Sequence, residues 1–247
     1  MTIEARRFFE LADILPFASL EDLIGPGGLV VVAPHPDDES LGCGGLIALA
    51  LQAGRAVRVV VVTDGVGSHP NSKAYPAERL RALREAECRA ACAALGLDPP
   101  HLCFLGLPDR STPYEGPQAE AASARVAAAC ADADATAVAV TWARDPHWDH
   151  QTACALTRAA VAQATQAPRL LEYPVWGHTL PPDTALDGPP RGARLDVSPV
   201  LARKRAAISA HRSQVTPLID DDPEGFCLSP EMVARFERPF EMYLRGD

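Results

Sequence analysis

The sequence predicts an α/β protein built on a mainly parallel, doubly wound sheet with helices on both faces. Three observations carry that expectation. Short apolar, β-branched runs at 29–32 and 57–63 lack the alternation of a half-solvated strand and read as strands buried on both faces. Stretches of helical period separate these runs, 78–95 being the clearest, and strands alternating with helices imply parallel pairing. Two of the strands also run into His/Asp clusters, and such sheets bind their ligands beyond the carboxyl ends of the strands.

In chain order, residues 3–24 read as one or two amphipathic helices interrupted at Pro16, followed by the turn GPGG at 25–28. The first strand, 29–32, leads into Pro34-His-Pro-Asp-Asp-Glu39, and the small and aliphatic residues 44–51 read as a helix. Pro34 and Pro36 fix their own φ and keep Ala33 and His35 out of the helical region, which stiffens the turn. The second strand, 57–63, is closed by Asp64-Gly65, and 66–77 is a polar loop. In 78–95, Leu80, Leu83, Ala86 or Glu87, Ala90, Ala91 and Ala94 keep to one stripe until Gly96 stops the helix. Residues 102–107 form the third strand, ending at Asp109-Arg110; 119–131 is an alanine-rich helix and 137–142 the fourth strand. Arg144-Asp-Pro-His-Trp-Asp-His150 follows, then a helix from about 151 to 163 and a fifth strand at 170–176. The Pro- and Gly-rich 177–193 reads as a loop, 194–197 as a short strand, and Ser198-Pro199 opens a helix to about 209. An acidic segment at 220–224, expected to be solvated, precedes a last helix near 231–243.

With 247 residues, 47% of them hydrophobic, the chain can bury one large α/β core, and no repeat or long linker divides it. A net charge of −9 argues against nucleic acid as a partner. No apolar run approaches the roughly 20 residues of a spanning helix, and the N-terminus carries Glu4 and Glu10 without a long apolar core. Neither a membrane span nor a signal peptide is expected. The seven cysteines are odd in number and form no Cys-x-x-Cys pair, so reduced thiols and a cytoplasmic location are the reading. Cys88 and Cys92 share a helix face and read as buried structural thiols rather than joint metal ligands.

The chemistry concentrates at the two clustered strand ends. His35, Asp37, Asp38 and Glu39 collect negative charge in one turn, which a proton or a divalent cation must relieve. His35 and Asp38 are three residues apart, and so are His147 and His150 after the fourth strand. Two histidines and one carboxylate, with a fourth position for water, make a catalytic metal set, and the surplus carboxylate and histidine then serve as base and acid. Zinc is the expected ion, with iron(II) as the alternative such donors accept. Dinucleotide binding is the weaker reading of Gly42-Cys-Gly44-Gly45. Ile47 stands where the third glycine should, and carboxylates line the turn that would meet pyrophosphate. Those glycines are better read as letting the helix pack close to the sheet. No Gly-x-Ser-x-Gly exists for a serine hydrolase.

Pro34-His-Pro-Asp-Asp-Glu39 with Gly42 and Gly44-Gly45, Thr63-Asp-Gly65, Arg84-x-x-Glu87 with Leu95-Gly96, and His147-x-Asp-His150 together resemble the PIG-L (LmbE-like) zinc deacetylase family. Lys204-x-x-Ala207 with His211-x-Ser213-Gln214 resembles its C-terminal part, so the likeness runs from about 28 to 214, leaving 215–247 as an extension of a single domain, 1–247. Trp148 departs from the family, many of whose members have Pro there. The resemblance implies a Rossmann-like fold and hydrolysis of an N-acetyl group from a glucosamine-containing small molecule or glycoconjugate. It implies His35, Asp38 and His150 as metal ligands and Asp37 as general base. His147 would stabilise the oxyanion or protonate the leaving amine, Asp149 would orient His147, and Arg84 would line the substrate site. A hydrolase of another small amide, or a non-catalytic metal- or nucleotide-binding protein, is the alternative. Oligomerisation is compatible with the sequence but not readable from it.

Overall fold

The computed structural model describes residues 2–245. Its elements are β1 (Thr2–Glu4), α1 (Ala5–Ala12), β2 (Phe17–Ala18), α2 (Leu20–Ile24), β3 (Gly28–Ala33), α3 (Asp38–Gln52), β4 (Val57–Thr63), α4 (Ala77–Leu95), β5 (Leu102–Leu107), α5 (Pro117–Asp132), β6 (Ala135–Thr141), α6 (Trp148–Ala162), β7 (Arg169–Tyr173), β8 (Ala185–Asp187), β9 (Gly192–Asp196), α7 (Leu201–Ala210), α8 (Arg212–Val215), α9 (Pro230–Phe236) and β10 (Phe240–Leu244).

The expected sheet is present. Its order is β2-β9-β10-β7-β6-β3-β4-β5, and the five strands from β7 to β5 are parallel. Alternation along each strand sends residues to opposite faces. Leu29, Val31 and Ala33 pack with Leu46 and Ile47 of α3, Ala91 and Leu95 of α4 and Ile208 of α7. Val30 and Val32 pack with Val126 of α5 and Ala153 and Ala160 of α6. Helices on both faces explain why these strands are apolar throughout.

The chain runs outward from β3 to β4 and β5, then returns to place β6 on the other side of β3. The switch point between β3 and β6 opens a crevice at their carboxyl ends, the expected place for a ligand. Both His/Asp clusters lie there. Gly42 and Gly45 bring α3 down onto the sheet: a Cβ at Gly42 would stand 2.1 Å from Tyr173 Cδ2, and one at Gly45 2.3 Å from Val197 Cγ1.

Several local expectations change. The helix read over 44–51 begins at Asp38, because carboxylates in a first turn are favoured by the helix dipole, and α6 likewise begins at Trp148 rather than 151. The last helix stops at Phe236. Pro239 cannot continue it, and residues 240–244 instead form β10, antiparallel to β9 and β7. The segment after 214 thus returns to the sheet through residues 240–244. The 177–193 loop contains β8, which pairs with β1.

Candidate active site

Each cluster is held by a strand end and a helix start. Beyond β3, the His35 N–H donates to Asp38 Oδ2 at 2.9 Å, folding the turn back on the first residue of α3. Beyond β6, His147 caps α6, its Nδ1 accepting from the backbone N–H of Asp149 at 3.2 Å. Asp149 and His150 follow in the first turn of that helix.

His35, Asp38 and His150 meet as expected from the motifs. His35 Nδ1 lies 3.2 Å from Asp38 Oδ2, His150 Nε2 lies 3.4 Å from the same oxygen, and the two ring nitrogens are 3.2 Å apart. Ligand atoms about 2.0–2.2 Å from a tetrahedral ion stand roughly 3.3–3.6 Å from one another. The outer ring nitrogens face acceptors. His150 Nδ1 is 2.9 Å from Asp145 Oδ2, and His35 Nε2 is 3.1 Å from Asp109 Oδ1 and 3.2 Å from Asp149 Oδ2. With the imidazole protons on those outer nitrogens, three lone pairs converge on one buried point, which is repulsive unless a cation sits among them. The donor set and its spacing fit a divalent metal.

The titration behaviour reflects the same crowding of carboxylates around the cluster. Burial disfavours a charged His35, yet the Asp109, Asp149 and Asp38 carboxylates hold its pKa well above the ordinary value. Asp38 is lowered to about 2: burial raises it, but His150 and His35 prevail. Asp37, the adjacent residue, moves the other way. Burial raises its pKa, and Arg84, with Nη2 3.2 Å from Asp37 Oδ2, opposes that rise without cancelling it.

A cavity of about 290 Å³ opens over these groups. His35, Asp37, Asp38 and His147 form its polar floor, and Leu41, Trp176, Phe226 and Leu228 its apolar wall. Because the Asp149 N–H donates to His147 Nδ1, a neutral His147 ring carries its proton on Nε2. Burial, reinforced by His35 and His150, lowers its pKa to about 4. A neutral ring in this position can donate a hydrogen bond from Nε2 into the cavity.

The Asp149 carboxylate stands 3.9 Å from His147 Nδ1, beyond hydrogen-bond distance, and it is the Asp149 backbone N–H that meets that nitrogen. The carboxylate accepts from the backbone N–H groups of Arg110 at 2.6 Å and Thr112 at 3.1 Å, and its Oδ2 faces His35. Arg84 lines the cavity with its guanidinium engaged, donating to Gly65 O at 2.8 Å and Pro36 O at 3.2 Å and pairing with Asp37. It braces the turn that carries Asp37.

The sequence reading passed over Asp109 and Asp145. Asp109 also accepts from the Gly67 N–H at 2.8 Å, and Asp145 from Val175 and Trp176 at 2.9 and 3.2 Å. The available signal was position, since each lies a few residues beyond a parallel strand. Glu39 faces His211, with Oε1 3.0 Å from Nε2, and Lys204 pairs with Glu241 at 2.7 Å, so these two basic residues of the C-terminal motif serve different partners. Glu39 also gathers with Cys88 and Cys92 inside the core, all three buried. The acidic segment is not merely solvated. Asp221 and Asp222 accept backbone N–H groups from Asn71, Lys73 and Ala74, clasping the 66–77 loop and bringing Phe226 and Leu228 to the cavity. Trp142 stacks on Phe8 in the core, whereas Trp176 lines the cavity.

A family model described as PIG-L, GlcNAc-PI de-N-acetylase, matches residues 30–161. A 1D-myo-inositol 2-acetamido-2-deoxy-alpha-D-glucopyranoside deacetylase of Actinosynnema mirum is 32% identical over 248 residues, covering 78% of this chain and 83% of that one. Two Mycobacterium sequences of the same name (strains KMS and JLS) are 44% identical over 86 residues, a match spanning 32% of this chain but only 27% of theirs. Among solved structures, N,N'-diacetylchitobiose deacetylase from Pyrococcus horikoshii aligns with a TM-score of 0.65 at 21% identity, covering 96% of this chain and 89% of that one. A 4-carboxy-2-hydroxymuconate hydratase from Pseudomonas putida KT2440 aligns with a TM-score of 0.57 at 20% identity, covering 86% and 83%. These likenesses establish the fold, and since one fold carries both activities, the reaction must be argued from the site.

Proposed function

The chain belongs to the PIG-L family, and from that premise we propose that it is a metal-dependent amidohydrolase removing acetyl from an N-acetylglucosamine-type conjugate. The observation that carries this reading is the convergence of His35 Nδ1, Asp38 Oδ2 and His150 Nε2 on one point beside a second pair, Asp37 and His147, in the same cavity. A protein that only stored metal would have no use for that second pair.

His35, Asp38 and His150 would hold the ion, zinc or iron(II) by donor type. When bound, it supplies Lewis acidity toward the amide carbonyl and the attacking water. Asp37 takes the proton of that water as it attacks, and its buried, raised-pKa carboxyl can retain the proton. His147 donates from Nε2 to the carbonyl oxygen as negative charge builds there, a role suited to a neutral imidazole. Asp37 then returns its proton to the amine nitrogen, the C–N bond breaks, and acetate and a free amine leave. This assigns the proton transfers to Asp37 and leaves His147 as an oxyanion donor.

The test is a panel of the acetamido sugars named for the relatives, the inositol glucosaminide and N,N'-diacetylchitobiose, with N-acetylglucosamine itself. Acetate and a new primary amine should appear in equal amounts from at least one of them. A fully metal-loaded protein that releases acetate from none would overturn the reading.

A further inference from the structure

We propose that Tyr114 and Trp148, which adjoin residues lining the cavity, form an aromatic platform that receives a ring of the group linked to the reactive sugar. The inference rests on the reading of the cavity as an N-acetyl sugar site and adds a second subsite to it. Most large hydrophobic side chains among the described residues are covered, yet Tyr114 and Trp148 are 59% and 52% exposed, with ring centroids 6.2 Å apart and planes tilted by 47°, two faces of a shallow wedge. Their position is tied to the active site. Trp148 follows the cavity-lining His147, and Tyr114 lies on the loop that begins with the cavity-lining Asp109 and Arg110.

The pair is exposed but anchored. Trp148 Nε1–H donates to Thr112 O at 2.9 Å, which fixes the indole against the loop. Asp149 holds that loop in turn, accepting from the N–H groups of Arg110 and Thr112, with Arg110 in the left-handed region at φ 64. Rigid aromatic faces open to water bind at low entropic cost. Size supplies the other half of the argument. A cavity of about 290 Å³ falls just below the range of about 300–1,000 Å³ that encloses drug-sized ligands. A cavity of this size would suit a ligand little larger than one acetamido sugar, which would leave the group linked to that sugar outside it. An exposed Tyr/Trp pair favours a ring with an apolar face, that of a sugar, a cyclitol or an aromatic ring.

The test compares methyl and phenyl glycosides of glucosamine, which are product-like and bind without being turned over, by calorimetry on metal-loaded protein. The wild type should bind the phenyl glycoside roughly two- to tenfold more tightly than the methyl one. Trp148→Ala and Tyr114→Ala should each shrink that ratio, their combination should bring it to about one, and Trp148→Phe, which keeps a ring, should retain part of it. A ratio of one in the wild type, or one that survives the double substitution, overturns the platform and leaves the sugar reading intact. Failure of both glycosides to bind overturns the platform together with the sugar reading of the cavity.

Discussion

Asp37→Asn is expected to lower kcat for acetate release by about 10²- to 10⁴-fold, the usual worth of a positioned general base, while bound metal stays at the wild-type level. The expectation follows from how two adjacent aspartates diverge. Asp38 opens α3 with Oδ2 between the two histidines and is lowered to about 2, whereas Asp37 precedes the helix, lines the cavity and pairs with Arg84. Burial drives its pKa the opposite way. Neighbouring carboxyl groups whose environments push their pKa values apart are suited to different tasks, one as permanent anion and ligand, the other as proton carrier. Loss of metal from the Asp37→Asn protein in parallel with activity would assign Asp37 to the ligand set instead.

Asp145→Asn is expected to weaken metal binding by about 10- to 100-fold, read by competition with a chromophoric chelator. Asp145 is fully buried, and its Oδ2 collects His150 Nδ1 and the N–H groups of Val175 and Trp176. That arrangement keeps the His150 proton on Nδ1 and its Nε2 lone pair inward. Asparagine keeps the shape but removes the charge that makes the imidazole a better donor. Thermal melting separates this effect from unfolding. An unchanged affinity in a folded Asp145→Asn protein would mean that His150 needs no such partner.

The parallel core was legible because a strand buried on both faces writes a continuous apolar run, as 57–63 does, and needs no knowledge of its partners. The edge of the sheet was not. β10 depends on pairing Phe240 with Asp196 across a long loop, and its local sequence, with Glu241 and Met242, reads equally well as helix until Pro239 is given weight. The candidate site divides in the same way. His35, Asp38, His147 and His150 lie in two contiguous motifs, and topology alone brings them together at the switch point. Asp109 and Asp145 are single carboxylates whose importance comes from what they face, and nothing in their flanking residues announces the imidazoles 3.1 and 2.9 Å away. The clasp of Asp221 and Asp222 on residues 71–74 is invisible for a related reason, since its partners are backbone amides that any sequence supplies.

The central claim is that His35, Asp38 and His150 form one divalent-metal site on which hydrolysis depends. Titrating zinc into chelator-stripped protein while following acetate release tests it most directly. About one tight equivalent per chain, with activity rising in proportion to its occupancy, is the predicted result. Protein that takes up no tight equivalent of zinc or iron(II), or that releases acetate equally well when stripped, would contradict the account.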